Sequence, residues 1–401
     1  MGYLRLLGDR RILVLWLAQS LSVLGDRMYA LVVMWLVWET TGSAALMGLV
    51  AVAESVPYVV IGTAGRRLLV RFASLGRLAA LDAARTVVVG ALPAVWAVHG
   101  ASLVALLVVA GLLGALGALF DPNLGALVPD LVRADQVQEV TGLMDLVARI
   151  ARIAGPGAAG LLLLVVPEVA LYVVDASTFG VSAAALTLLS RRARASPRPA
   201  GDRGTSDAPG RPRARRLVAA YPLTGCMVGL HGAGQMLLGV ALVLPALLAL
   251  RGGEGAGAYA AAITATGVGA VAANLVAGNL RAASTVPAAY CLAWIAQGVV
   301  MTATGAVGSV GWIVGLSLLA GAVGPFCAIG LRTHLARFGR DERLAWMALD
   351  QTVLRAAGTV GTLVLPVLAA SRPAAGFIAG GAATVAVAAG VWAAAVVRGL
   401  R

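Results

Sequence analysis

Lysine is absent from this chain of 401 residues, and all 31 of its basic residues are arginine. That absence excludes a Walker-type phosphate loop, a Schiff-base site for retinal or pyridoxal, and any lysine nucleophile. Charge of either sign is scarce: 12% of residues are charged and 60% are hydrophobic, with a mean hydropathy of +0.90. A soluble protein dresses its surface with roughly a quarter charged residues, so this supply cannot cover a water-facing fold. The three cysteines (Cys226, Cys291, Cys327) are an odd number, far apart and inside apolar runs. They exclude a disulfide framework and read as small buried hydrophobes. The three histidines (His99, His231, His334) form no metal-ligand spacing, so neither a metal nor another cofactor is expected. Gly-x-Ser-x-Gly and His-Glu-x-x-His are also missing, which leaves an intramembrane enzyme without a nucleophile or base.

What is present is a series of apolar runs long enough to cross a bilayer, about 20 residues each. Twelve are expected: 11–38, 43–64, 74–98, 101–120, 141–166, 168–190, 217–249, 256–280, 285–305, 309–331, 344–370 and 374–397. The first is too long for a signal peptide, carries Asp26 and Arg27 at its centre and lacks a small-residue cleavage site. With the N-terminus in the cytoplasm, only Arg251 and Arg372 fall outside, and Arg27, Arg85, Arg149, Arg152 and Arg355 fall within spans. All other arginines are then inside, which places both termini in the cytoplasm. Trp16, Trp35, Trp38, Trp96, Trp312 and Trp346 lie near the expected span ends, where an amphipathic ring is favoured. The net charge of +13 therefore reports topology, and no nucleic acid or nucleotide partner is implied.

Residues 191–216 hold nine arginines against Asp202 and Asp207, supplying +7 of that charge. Such a segment cannot bury a core. It reads either as a hinge that fixes topology or as a strip attracted to anionic lipid. It divides the chain into residues 1–190 and 217–401, each with six spans. At an offset of 203 residues Pro122 meets Pro325, Arg152 meets Arg355 and Gly155 meets Gly358, which supports a 6+6 duplication. The fold class is thus an all-α integral membrane protein of two six-helix bundles, expected to be a monomer, with a proline closing the fourth span of each half.

An ionisable group at mid-bilayer costs roughly 2.5–3.5 kcal/mol, so each needs a partner, a wet cavity or a role. Asp82 and Arg85 at i,i+3, and Asp145 and Arg149 at i,i+4, can pair on one helix face. Asp350 lies near the cytoplasmic end of the eleventh span, and Asp175 reads as structural. Asp26 and Glu54 sit at span centres, and Arg152 lies near mid-span. These three form a candidate proton-coupling group, with a static ion-pair lock between helices as the rival reading. Gln19, Ser22 and Tyr29 share a helical face with Asp26. Together with Arg149, His231, Gln235, Asn274, Gln351 and Arg355 they are candidate cavity-lining residues. Interhelical hydrogen bonding is the plainer alternative for the polar members. Asp26 and Glu54 suit a cationic substrate, whereas Arg152 and Arg355 suit an anion.

The motifs that carry a resemblance are Leu24-Gly25-Asp26, Thr40-Thr41-Gly42-Ser43-Ala44 and Asp82-x-x-Arg85 in the first three spans. Phe120-Asp121-Pro122, Ala126-Leu127-Val128-Pro129-Asp130-Leu131-Val132 and Gly155-Pro156-x-x-Ala159-Gly160 follow. With these the chain resembles the major facilitator superfamily over nearly its whole length, and within it the macrolide- and siderophore-efflux branch of proton-coupled exporters. The resemblance implies a multi-pass protein of the bacterial cytoplasmic membrane. It would export a small amphipathic compound (a drug, antibiotic or siderophore-like metabolite) in exchange for protons. It also assigns Gly155, Pro156 and Gly160 to the antiporter signature and Arg71 to the gating loop. In that loop the family's aspartate is replaced by Val70, which removes the usual cytoplasmic latch or implies another. A non-transporting receptor, scaffold or partner of a biosynthetic system is the alternative on the same fold.

Overall fold

Hydrocarbon offers no partner to a backbone N–H or C=O, so a chain this apolar can satisfy its backbone within the membrane only as helix or closed barrel. A computed structural model of the protein describes residues 2–41, 43–99, 102–163, 165–195, 214–253, 256–278 and 286–397, and among the described residues there is no strand. The long helices of the first half are α1 (Arg10–Thr41), α2 (Ala44–Ala64), α3 (Leu75–His99), α4 (Leu103–Leu127), α5 (Val137–Leu163) and α6 (Glu168–Ala195). Those of the second are α7 (Pro222–Leu237, prolonged to Ala249), α8 (Ala256–Ala277), α9 (Val286–Ala306), α10 (Val310–Leu335), α11 (Arg340–Ala369) and α12 (Pro373–Val397). Short helices at Gly2–Leu7, Arg66–Arg71 and Ala214–Ala220 lie outside the long ones.

Ten helices among the described residues are long and apolar enough to cross a membrane. The two other long helices, α1 and α5, span 32 and 27 residues. They carry the charges Asp26, Arg27, Asp145, Arg149 and Arg152. The sequence expected twelve spans; the structure shows ten by length and composition plus these two charged helices. The linker begins later than expected, because α6 runs on to Ala195, and residues 196–213 lie outside the described residues.

Helix neighbours repeat between the halves. In the first half α1 packs on α5 and α6, α2 on α4, and α3 on α4 and α6. In the second α7 packs on α11 and α12, α8 on α10, and α9 on α10 and α12. Contacts between the halves obey the same two-fold relation: α2–α11 mirrors α5–α8, and α4–α11 mirrors α5–α10. Close packing comes from glycine, because association in lipid depends on van der Waals contact between backbones. A Cβ on Gly114 of α4 would lie 2.1 Å from the Glu54 carbonyl oxygen of α2, and one on Gly321 of α10 would lie 1.9 Å from that of Thr266 in α8. Apolar side chains such as Val87, Val108, Val268, Leu318 and Val367 face outward, where lipid replaces water.

Three details differ from the sequence reading. Pro122 and Pro325 lie inside α4 and α10 and do not close them; neighbouring helices and polar groups tolerate such prolines in a bundle. Trp346 is fully buried, packed at 5.9 Å from Phe338, so it is a core residue and not an interfacial anchor, whereas Trp312 is exposed. Cys291 and Cys327 are buried, but Cys226 is exposed, since α7 turns that side outward.

Replacing Gly114 with valine should cost about 1–3 kcal/mol or more by forcing α2 and α4 apart. Gly315, whose Cβ would meet nothing within 4 Å, should accept alanine without loss. Melting of the two variants in detergent checks both outcomes.

Candidate translocation site

One end of the molecule is closed by bonds between the halves, at the side where the arginine-rich segments lie. The Tyr3 hydroxyl is bonded to the side-chain and main-chain oxygens of Asn274, at 3.0 and 2.9 Å. Asn274 donates through Nδ2 to Asp145 Oδ2 at 2.9 Å, and Gln138 donates to the Ala277 carbonyl at 2.8 Å. Burial, then the charges of Asp145 and Glu139, push the Tyr3 phenol up, so it remains a donor. Gly142 and Gly278 let α5 and α8 touch here; a Cβ on Gly142 would lie 2.7 Å from Gly278 Cα. Asp130, in the turn after α4, accepts from the buried Arg343 of α11 and lies 3.9 Å from Arg340. Arg340 also donates to the Ala73 carbonyl at 3.3 Å. Asp130 thus ties the two halves beside the loop where Val70 stands in place of the family's aspartate.

Further in, α2 meets α11 through charge. Arg355 Nη1 donates to Glu54 Oε1 at 3.2 Å, with the two side chains 36% and 41% exposed. Its guanidinium lies over the Tyr58 ring, 4.4 Å from the centroid, and Nη2 is 3.3 Å from the Tyr58 hydroxyl. That hydroxyl donates to Asp121 Oδ2 at 2.6 Å. Gly117 makes the cluster continuous: a Cβ there would lie 2.3 Å from the Tyr58 hydroxyl oxygen and 3.2 Å from an Arg85 nitrogen. Arg85 is buried between the Phe120 and Phe179 rings, at 4.6 and 5.3 Å, and binds Asp82 at 3.1 Å. Asp26 is exposed and lies in the field of Arg85, Asp121, Glu54 and Arg27. Behind it, Gly25 lets α6 approach: a Cβ there would lie 2.5 Å from Asp175 Oδ1. Asp175 is 1% exposed, and neither of its carboxyl oxygens has a hydrogen-bond partner among the described residues.

The candidate residues therefore divide. Asp26 and Glu54 share one electrostatic field, but the arginine that Glu54 pairs with is Arg355, the counterpart of Arg152 at an offset of 203 residues. Arg152 is exposed and sits in the field of Arg27 and Arg149. Arg149 donates to Asp145 at 2.6 Å. His231 Nδ1 lies 2.7 Å from Asp350 Oδ1, which joins two residues placed in separate roles by sequence. Gln235 and Gln351 are half-buried, with Gln235 packed against Gly358 of α11.

Three expected cavity residues face elsewhere. Gln19 is buried and donates to Ser182 of α6 at 3.0 Å, and Ser182 donates to Asp82 at 2.6 Å. Ser22 is buried, and Tyr29 packs edge-on against Tyr172 of α6 at 5.8 Å. The face of α1 that carries them is turned into the bundle: Gln19 bonds to α6, while the buried Tyr29 hydroxyl has no hydrogen-bond partner among the described residues. Asn274 is likewise taken up at the closed end. Arg71 is exposed, and its carbonyl accepts from Arg77. Gly155 lies against Arg27; the surroundings of Pro156 and Gly160 lie outside the described residues. No group of three metal-ligating side chains occurs among the described residues. Sequence reasoning missed Tyr58 as a bridge, although its i+4 spacing from Glu54 puts both on one face. It quoted Asp121 and Asp130 only as motif letters and counted Arg343 only toward topology.

A helical protein with charged groups gathered between two repeat-related halves has the build of a membrane transporter. Residues 7–398 match the family described as transmembrane secretion effectors, so the chain belongs to that family of the major facilitator superfamily. It is a secondary transporter of the membrane and not an enzyme. Among solved structures, the human organic anion transporter MFSD10 is similar with a TM-score of 0.74 at 13% identity, covering 95% of this chain and 99% of that one. The E. coli fucose:proton symporter FucP gives 0.67 at 13%, covering 98% and 99%. A bacterial homologue of the iron transporter ferroportin in an outward-facing state gives 0.71 at 13%, covering 95% and 97%. Among curated protein sequences nothing matches.

If Asp130 is the latch, Asp130→Asn and Arg343→Gln should each open the arginine-rich end. With Cys226 and Cys291 replaced by serine, the buried Cys327 should then react several-fold faster with a soluble maleimide. Unchanged labelling in both variants would locate the closure elsewhere.

Proposed function

We propose that this chain is a proton-coupled exporter of small amphipathic compounds, working by alternating access in the bacterial cytoplasmic membrane. Residues 1–190 and 217–401 act as its two bundles, residues 191–216 join them, both termini are cytoplasmic, and the protein acts as a monomer. The observation that carries the reading is the half-exposed bridge of Glu54 on α2 to Arg355 on α11, 3.2 Å long and spanning the two halves. An ion pair in a low-dielectric site is favourable only while both members are charged. A proton arriving at Glu54 removes its charge, frees Arg355 and takes away a contact that holds the halves together. Asp26, in the same electrostatic field and open to solvent, is the group through which the proton enters and leaves. Tyr58 and Asp121 hold Arg355 in reach when Glu54 lets go. Substrate then leaves as the proton comes in, because protonating Glu54 loosens the contact that holds the halves in their present arrangement.

The contacts at the arginine-rich end support a state closed toward the cytoplasm, with Asp130 and Arg343 supplying the tie that Val70 cannot. That substitution is the chief ground for a non-transporting scaffold, and Asp130 answers it.

In proteoliposomes carrying an internal pH dye, Asp26→Asn and Glu54→Gln should abolish substrate-induced proton movement across a panel of amphipathic compounds. Both should still migrate as folded protein in detergent. Arg133→Gln, on an exposed turn, should match the native chain. Undiminished proton flux in both carboxylate variants would remove them from the coupling role.

A further inference from the structure

The interior charges fall into two sets of opposite sign, and α1 divides them. Successive residues of a helix point about 100° apart, so Asp26 and Arg27 face different neighbours. Asp26 belongs with Glu54, Asp121 and Arg85, and also feels the charge of Arg27. Arg27 is rooted on α5: a Cβ on Gly155 would lie 2.5 Å from Arg27 Cβ. From there it shares the field of Arg152, which also feels Arg149 and Asp145. Of these three guanidinium groups only Arg149 has a carboxylate within ion-pair distance among the described residues, and that carboxylate is committed: Asp145 takes Arg149 at 2.6 Å and Asn274 at 2.9 Å through the same oxygen, while Asp26 reaches Arg27 only through its field. Among the described residues no carboxylate lies within ion-pair distance of Arg27 or Arg152, and both are exposed.

The position of this surplus in the fold gives it a use. Asp145, Arg149 and Arg152 follow one another on a single face of α5 at helical spacing. The first two are covered by the second half: Asp145 by Asn274 of α8, and Arg149 by Gly324 of α10, whose Cβ would lie 3.1 Å from an Arg149 nitrogen. Arg152, one turn further, is exposed, so the halves part at that level. Positive charge inside a membrane protein and not paired by the protein is costly. A guanidinium fork matches a carboxylate, phosphate or sulfonate through paired hydrogen bonds. Glu54 of the negative set is already held by Arg355, and Asp26 is the proton's route in the exporter reading.

We propose that Arg27 and Arg152, steadied by the Arg149–Asp145 pair, form the binding site for the anionic group of the transported compound, whose class is therefore an amphipathic carboxylate, phosphate or sulfonate. This deepens the exporter reading by naming its substrate class. An anion leaving and a proton entering both move with an inside-negative potential, so the membrane voltage drives the exchange as well as the pH gradient.

The test is equilibrium binding by the purified full-length chain in neutral detergent at fixed ionic strength, read by thermal unfolding and tryptophan fluorescence. The probes are phenyl phosphate and, as its cationic counterpart, benzyltrimethylammonium. Phenyl phosphate should stabilise the native chain saturably, and the cation should not. Arg27→Gln and Arg152→Gln should each weaken phenyl phosphate by about tenfold or more, the loss expected for a charge-assisted hydrogen bond. The lysine variants at both positions, which keep the charge and lose the fork, should fall between, and Arg133→Gln should bind as the native chain does. No saturable binding of phenyl phosphate, native affinity in both glutamine variants, or preference for the cation would each overturn the assignment. The lysine variants decide the matter if a glutamine variant melts early without ligand. Because no gradient is present, binding without proton-coupled flux in liposomes would count against the antiport reading and leave this one standing.

Discussion

Everything in this protein follows from the cost of an unpaired polar group in hydrocarbon. The backbone answers that cost by becoming helix, and the few charged side chains answer it by finding one another. Where both partners lie in one half, as in Asp82 with Arg85 or Asp145 with Arg149, the pair is a fixed part of a bundle. Where partners lie in opposite halves, as in Glu54 with Arg355 and Asp130 with Arg343, the same pairing becomes a link that can be made and broken. A transporter needs links of that second kind, because only they change in strength as the halves move.

The two-fold repeat gives these links their places. Contacts of α2 with α11 and of α5 with α8 occupy equivalent positions, yet they differ in chemistry. The first carries a half-exposed ion pair under an aromatic ring; the second is closed by glycines and an asparagine, with arginines beyond. The repeated helix arrangement supplies the frame, and side-chain differences within it place more carboxylates on one side and more arginines on the other. Arg152 and Arg355 show this most plainly: repeat-related in sequence, they sit in opposite charge environments.

At 13% identity the chain superimposes on transporters over 95–98% of its length. The fold tolerates such drift because a lipid-facing helix surface asks only for apolar atoms, while close helix contacts ask only for small residues. Identity of substrate resides in a handful of polar side chains, which that drift does not constrain.

Much of the fold was legible in the sequence, since apolar length, helical period and arginine placement are local properties. The runs of apolar residues placed the helices to within a few positions, and i,i+3 and i,i+4 spacing located the pairs within one helix. The sequence also determined that the scarce intramembrane charges are the place to seek chemistry. It could not decide which charge meets which across helices, because that depends on how α1 is rotated and which faces its neighbours cover. Gln19, Ser22 and Tyr29 share a face with Asp26, yet α6 covers theirs and leaves Asp26 open. Tertiary packing alone gave Glu54 to Arg355, tied His231 to Asp350, set Asp130 against Arg343 and left Arg27 and Arg152 without an ion-pair partner among the described residues, because no single-helix pattern contains a partner that arrives from another helix.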